Sequence, residues 1–303
     1  MIKNGYLYVF MFLILSACSG QKLIQYITEE KPNLVPQKFA PGFISLDSVF
    51  EYGSVFNAAG TDFFYAVDLG ERAEIRQSSI NNKVWTPGKT IIADSKYSFN
   101  DPFLNPEEDK LYYISNMPNS KQDTIEDYDI WYSIRTQNGW SAPINAGPTI
   151  NTIHNEYYIS FTNDGSMYFA SNGNAQAKRK HDFDIFKAPM KEGVFQKPIS
   201  LGPAINTRAY EADVFIAPDE SYIIFCSFRK TGLGKGDLYI SFKDDIGAWS
   251  EAISMGKTIN TKGHELCPFV TKDGKYFFYT SNEDIYWVNA DIISFLKEKS
   301  SSQ

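Results

Sequence analysis

The sequence predicts an all-β chain: a five-bladed β-propeller of four-stranded blades, closed by an N-terminal strand that completes the last blade. Three observations carry this. A decapeptide recurs, as GPTINTIHNE at residues 147–156, GPAINTRAYE at 202–211 and GKTINTKGHE at 256–265. Each copy is followed by a short apolar run, a turn and a second apolar run, at a period of 54 or 55 residues. The 303 residues include 19 Tyr and 23 Phe, which suit pleated, half-buried surfaces. A fixed period of this length marks a stack of like units. Four short strands per unit, repeated radially, make a propeller blade.

The N-terminus stands apart from the repeats. Lys3 precedes an apolar run, YLYVFMFLIL at 6–15, too short to span a bilayer comfortably, so residues 1–17 are expected to be a signal peptide. Leu15-Ser16-Ala17-Cys18 matches the lipobox of bacterial lipoproteins, in which the cysteine is lipidated and becomes the mature N-terminus. An ordinary cleaved signal or a buried helix is the plainer alternative. Acyl chains on Cys18 would hold the protein on a membrane leaflet. Residues 18–38, polar with two prolines, are the expected tether. Residues 39–297 form the propeller and 298–303 a polar tail.

An acidic residue marks the register of each blade: Glu51, Asp101, Glu156, Glu211 and Glu265, at intervals of 50, 55, 55 and 54 residues. A strand-like run follows each one, then a turn. The turns are Ala59-Gly60-Thr61, Pro106-Glu107-Glu108, Asn163-Asp164-Gly165, Pro218-Asp219-Glu220 and Lys272-Asp273-Gly274. Asp-Gly between apolar runs is a strong hairpin signal. The second strand is rich in aromatics, and the third opens at Glu74-Ile75, Asp129-Ile130, Asp184-Ile185, Asp237-Leu238 or Asp284-Ile285. The fourth opens at Trp85, Trp140, Phe195 or Trp249, and the fifth unit lacks it. Gly42 precedes Glu51 by nine residues, as Gly147, Gly202 and Gly256 precede their own glutamates. Residues 39–46 are therefore expected to supply the missing outer strand and close the ring, leaving no long bare edges.

Taken together, E-x-x-P-F, D-G-x-x-x-F/Y-x-S-N, D-I-Y and W-S-x-P resemble the TolB-type (WD40-like) β-propeller repeats of bacterial envelope proteins. The resemblance covers about residues 39–296 and is strongest over 101–286. Blade one departs from it at Ala59-Gly60-Thr61, and the repeats lack the separate N-terminal domain that TolB carries. The resemblance implies a propeller in an envelope setting, on an outer membrane facing the periplasm or the surface. It carries over no catalytic residue, because the family's shared positions are structural.

Several features bear on chemistry. A net charge of -7, from 29 basic and 36 acidic residues, argues against a nucleic-acid partner. Glu51, Asp101, Glu156, Glu211 and Glu265 could ring one mouth of the propeller and bind a cation or a polyol, or supply acid/base pairs for glycoside cleavage. The alternative is that each carboxylate caps the N–H groups of its own inter-blade turn. His154 and His264 fall beside register acids, and are either part of the same mouth or solvated loop residues. With His181 they show no metal-ligand spacing, and no metal or cofactor is expected. The 232–236 stretch GLGKG lacks the phosphate-loop spacing and is expected to be a turn. Cys226 and Cys267 fall in apolar strands of different repeats, as buried thiols rather than a bridge. Lys178-Arg179-Lys180 is expected to be a solvated loop tip.

The expected function is that of a membrane-anchored envelope lipoprotein whose propeller binds or scaffolds a protein or a glycan, without enzymatic activity. Recognition would use the loops between second and third strands, longest at 117–128 and 173–183. The alternative is a five-bladed glycoside hydrolase with carboxylates in the central mouth. An enzyme should have two or three acids outside the repeat register pointing into that mouth.

Overall fold

A computed structural model describes residues 31–81, 84–120, 127–173 and 182–300. The leader, Cys18, Lys178-Arg179-Lys180 and His181 lie outside the described residues, as do the centres of the two long loops. Five antiparallel sheets make up the propeller. Their inner strands are Phe50–Phe56, Phe99–Leu104, Glu156–Phe161, Glu211–Ile216 and Glu265–Val270. The second and third strands pair outward in sequence order; in blade three, for example, they are Met167–Ser171 and Asp184–Ala188. The cores between blades are aromatic, with Phe63, Phe64, Tyr113, Tyr168, Phe225 and Phe277 fully buried.

The fourth strand is split. Trp85, Trp140 and Phe195 belong to short hairpins that extend or follow the third strand, and the outer strands proper come later, at Lys89–Ile92, Ile144–Asn145, Ile199–Ser200 and Ile253–Ser254. Pro87, Pro143 and Pro198 stand at the break in the first three blades. Proline has no N–H to give to a ladder, so pairing lapses there and resumes beyond it.

The Ile-Asn-Thr repeat joins one blade to the next. Ile150, Ile205 and Ile259 are buried beneath the turn. The amides of Asn151, Asn206 and Asn260 each pair in both directions with one residue of the preceding third strand. Asn151 Oδ1 accepts from Ile130 N at 2.9 Å, and its Nδ2 donates to Ile130 O at 2.9 Å. Ile185 and Leu238 are held in the same way. A side-chain amide here does the work of a strand neighbour, satisfying backbone groups that would otherwise be buried unpaired.

An N-terminal strand does close the ring, but four to five residues ahead of Gly42 rather than at 39–46. Gln37–Lys38 pairs antiparallel with Tyr286 and Trp287. The Phe39 N–H adds a bond to Ile285 O at 2.8 Å. Gly42 proves the wrong landmark. Gly147 O accepts from Ile150 and Asn151, and here Ala40 O accepts from Phe43 and Ile44, so Ala40 holds the equivalent place. Two extra residues between this turn and Glu51 displace the strand. Residues 40–46 are turns and isolated bridges, with Ile44 buried. Phe39 fills the seam between first and last blades, its ring 5.0 to 5.9 Å from those of Phe56, Phe63, Phe278 and Trp287.

After the last blade the chain forms a helix, Asp291–Ser300, that the sequence reading did not foresee. Asn289 Oδ1 accepts the Asp291 N–H at 2.8 Å as a start signal. Ile292 and Ile293 are buried, and Lys297 and Lys299 sit in the last turn, where cations suit the helix dipole. No helix among the described residues is long and apolar enough to cross a membrane.

Candidate functional site: the axial mouth

Four register glutamates occupy equivalent places at the start of inner strands, each opposite the end of a second strand. Glu156, Glu211 and Glu265 pair with Ser171, Ser227 and Ser281, and Glu51 with Val67. The first three accept the same set of donors. Glu156 takes Thr152 N and Oγ1 at 2.9 Å each, and Ser171 Oγ at 2.8 Å. Glu211 takes Thr207 N and Oγ1 with Ser227 Oγ, and Glu265 takes Thr261 N and Oγ1 with Ser281 Oγ. Glu51 has one weaker donor, Leu46 N at 3.3 Å. All four are buried. Burial pushes Glu51 and Glu156 up to about 7 and raises Glu211, against the pull of their hydrogen bonds.

Asp101 does not belong with them. Phe99, not Asp101, stands opposite Ser115, so Phe99 is the blade-two counterpart of the glutamates. The intervals in sequence hid this because blade one is two residues shorter than its acids suggest. Asp101 belongs to a second ring, two residues further along each inner strand. There the pairing register slips in every blade, and one residue adopts a left-handed conformation: Gly53 (φ 54), Asp101 (φ 52), Tyr158 (φ 53), Asp213 (φ 51) and Cys267 (φ 51). Such bulges turn a side chain out of the pleat, here toward the propeller axis. The five residues line one small cavity of about 30 Å³.

This ring is chemically uneven. Cys267 Sγ lies 3.4 Å from Asp101 Oδ1 and 3.5 Å from Asp213 Oδ1, and the Cys267 N–H donates to Asp213 Oδ1 at 3.2 Å. Tyr158 also hydrogen-bonds the Asp213 carboxyl. Both acids are buried, at 6% and 2% exposure. Burial pushes Asp213 up to about 7, and burial together with the neighbouring Asp213 charge drives Asp101 well above the usual range. The thiol is raised too, so Cys267 is a protonated donor between two carboxyls rather than a nucleophile. Gly53 leaves the room: a Cβ there would sit 2.7 Å from Asp101 Oδ1 and 2.9 Å from its Cα. Sequence reasoning passed over Asp213 and Tyr158 and read Cys267 only as a buried thiol. The only signal was their shared position, two residues after the register mark.

Above this ring, an arc of rings runs across four blades, from the second to the fifth. Tyr128 meets Tyr157 at 5.5 Å, Tyr157 stacks on Phe183 at 4.9 Å, and Phe183 meets Tyr210 at 5.4 Å. Tyr210 stacks on Phe228 at 4.4 Å, and Phe228 meets His264 edge-on at 5.4 Å. Phe228 is 45% exposed. His264 is half-buried with Nε2 3.6 Å from Cys226 Sγ, and burial lowers its pKa, which favours the neutral ring. His154 is exposed, its backbone N–H bonded to Thr152 Oγ1, and its ring lies 3.1 Å from where a Cβ on Gly173 would stand. The 232–236 turn offers no free anion nest, because Leu233 N and Gly234 N both donate to Asp237. Cys226 and Cys267 are free and buried. Among the described residues no group of three or more His, Cys, Asp or Glu side chains could hold a metal ion.

No family model matches the chain. No curated protein matches it by sequence. Solved propellers do match in shape. An endo-arabinase from Bacteroides thetaiotaomicron superposes with a TM-score of 0.55 at 15% identity, over 81% of this chain and 96% of that one. A thermostable family-43 glycoside hydrolase gives 0.52 at 13% identity, over 79% and 88%. TolB from Acinetobacter baumannii gives 0.48 at 11% identity, and the chain spans 54% of its length. At these identities the likeness is one of fold, and the fold is a five-bladed β-propeller.

Proposed function

We propose that this protein is an envelope lipoprotein, anchored to a membrane through Cys18, whose propeller binds a protein or a glycan at the axial mouth and the aromatic arc around it. The observation that supports binding over hydrolysis is the closed axis. Two acids outside the glutamate register, Asp101 and Asp213, do meet there, as a hydrolase would require. Both nevertheless bond to Cys267 within about 30 Å³, a space too small for a sugar ring. Glycoside cleavage needs two carboxyls flanking the scissile bond with substrate between them, about 5–9.5 Å apart. The arc, by contrast, offers rings with an exposed edge at Phe228, and aromatic side chains are common anchors in recognition.

Two measurements test this reading. Cys18→Ser should release the protein from the membrane fraction; a variant that stays bound refutes the anchor. Phe228→Ala should weaken binding to a soluble glycan or an envelope protein several-fold without moving the melting temperature. Turnover of a glycan that Asp213→Asn abolishes would replace binding by hydrolysis.

A further inference from the structure

A larger cavity lies at the other end of the axis. It measures about 450 Å³, within the range of ligand pockets. Its walls are the last residues of the inner strands and the turns that follow them, including Val55, Phe215, Phe269, Pro218 and Lys272. Phe103 lines both this cavity and the small one beyond it, so the inner rings form a partition between the two. Phe269 meets Phe103 and Phe215 edge-on, each at 6.0 Å. The floor is apolar and the mouth carries polar turn residues.

The chain enters the propeller on this same face. Gln37–Lys38 runs antiparallel to Asp284–Asn289, and Asn289 N donates to Asn33 O at 2.9 Å. Asn33 thus lies at the outer edge of blade five, whose inner turn supplies Thr271, Lys272 and Gly274 to the cavity. From outer to inner strand is three strand spacings, about 14 Å. Upstream of Asn33, the otherwise polar tether contains one apolar run, Leu23-Ile24-Gln25-Tyr26-Ile27. Ile27 is six residues from Asn33, a reach of about 20 Å when extended. An apolar run of four side chains left in water would be a sticky patch beside an apolar cavity of the same molecule.

We propose that the tether segment Leu23-Ile24-Gln25-Tyr26-Ile27 docks in this axial cavity and plugs it. The docking stands independently of the anchor. Its consequence, which does rest on lipidation of Cys18, is orientation. With the segment seated, only four residues separate the lipid from the propeller, so the cavity face is held toward the leaflet and the aromatic arc points away from it.

The test uses the chain from residue 18 carrying Cys18→Ser, which keeps it in solution. Hydrogen exchange should show amides of residues 23–27 slowed by about tenfold or more relative to intrinsic rates. Changing Leu23, Ile24, Tyr26 and Ile27 together to Ser should open the cavity and raise binding of anilinonaphthalene sulfonate several-fold. Exchange at intrinsic rates, with the strands still protected, overturns the proposal. So does equal dye binding by the two proteins. Protection that grows with concentration would assign the cavity to a second copy and overturn it as well. If the segment is protected while Cys18→Ser stays on membranes in cells, the docking stands and the anchor falls.

Discussion

Asp213→Asn should make the protein markedly more stable at alkaline pH. The carboxyl is buried at the axis beside Cys267 and Tyr158, and burial pushes it up to about 7 from an ordinary 3.8. The folded state therefore keeps a proton that the unfolded chain releases near pH 4. This contribution to stability is complete below the unfolded value, declines as pH rises toward 7 and is gone above it. Three units of difference correspond to on the order of 4 kcal/mol. Asparagine has no proton to lose, keeps an Oδ1 for the Cys267 N–H, and tolerates the left-handed φ of 51. Glu51 and Glu156 titrate in the same window in both proteins and cancel from the difference between the two curves, which reports Asp213 together with its charge coupling to Asp101. Between pH 5 and pH 8, stability of the variant relative to the parent should climb by about 3 kcal/mol. Urea unfolding at four pH values, with m unchanged, measures it. A constant difference across that range would refute the assignment of a proton to this carboxyl.

Three other changes follow from the same structure. Phe39→Ala removes a fully buried ring that touches both the first and last blades, and should lower stability by about 3–5 kcal/mol in denaturant unfolding. Gly53→Ala places a methyl group 2.7 Å from Asp101 Oδ1 at a φ of 54, and should cost about 2 kcal/mol or more, visible as a lower melting temperature. Glu211→Gln keeps the acceptor for Thr207 and should cost about 1 kcal/mol or less, whereas Glu211→Ala orphans the turn's donors and should cost about 1–3 kcal/mol by calorimetry.

The fold was legible because most of its signals repeat. Ile-Asn-Thr with a glutamate four residues later encodes a buried plug, an amide that imitates a strand, and a carboxylate acceptor, and it returns in three blades. The turns between first and second strands were equally plain, whereas the fourth strands, announced by Trp85, Trp140 and Phe195, begin only beyond the prolines that follow. The reading slipped where a blade departs from the repeat. Gly42 mimicked Gly147 in spacing, yet two added residues had moved the turn to Ala40, a shift visible only in hydrogen bonds. Asp101 mimicked a register acid because it is acidic, although Phe99 holds the place. The C-terminal helix depends on a single cap and two buried isoleucines, too little periodic signal to stand out.

The axial ring explains why the candidate site was harder to find than the fold. All five blades share its backbone, a bulge with φ near 50, but none of the chemistry follows from that shared geometry. Left-handed φ favours glycine, and glycine occurs once; the other four blades put Asp, Tyr, Asp and Cys there. Holding a non-glycine residue in that conformation costs about 1 kcal/mol or more each, so four of them in one ring must be sustained by the surrounding packing. Reading by repeats averages over such positions and discards what differs. A propeller's symmetric positions hold its blades together, whereas a site that distinguishes one ligand from another must break the symmetry. Of the two rings at this mouth, the glutamates repeat, and three of them are satisfied by their own turn and the neighbouring strand, while the bulge residues differ and meet one another. Function at this end of the axis should therefore respond to substitutions in the second ring and the arc above it, and the glutamates should register in stability.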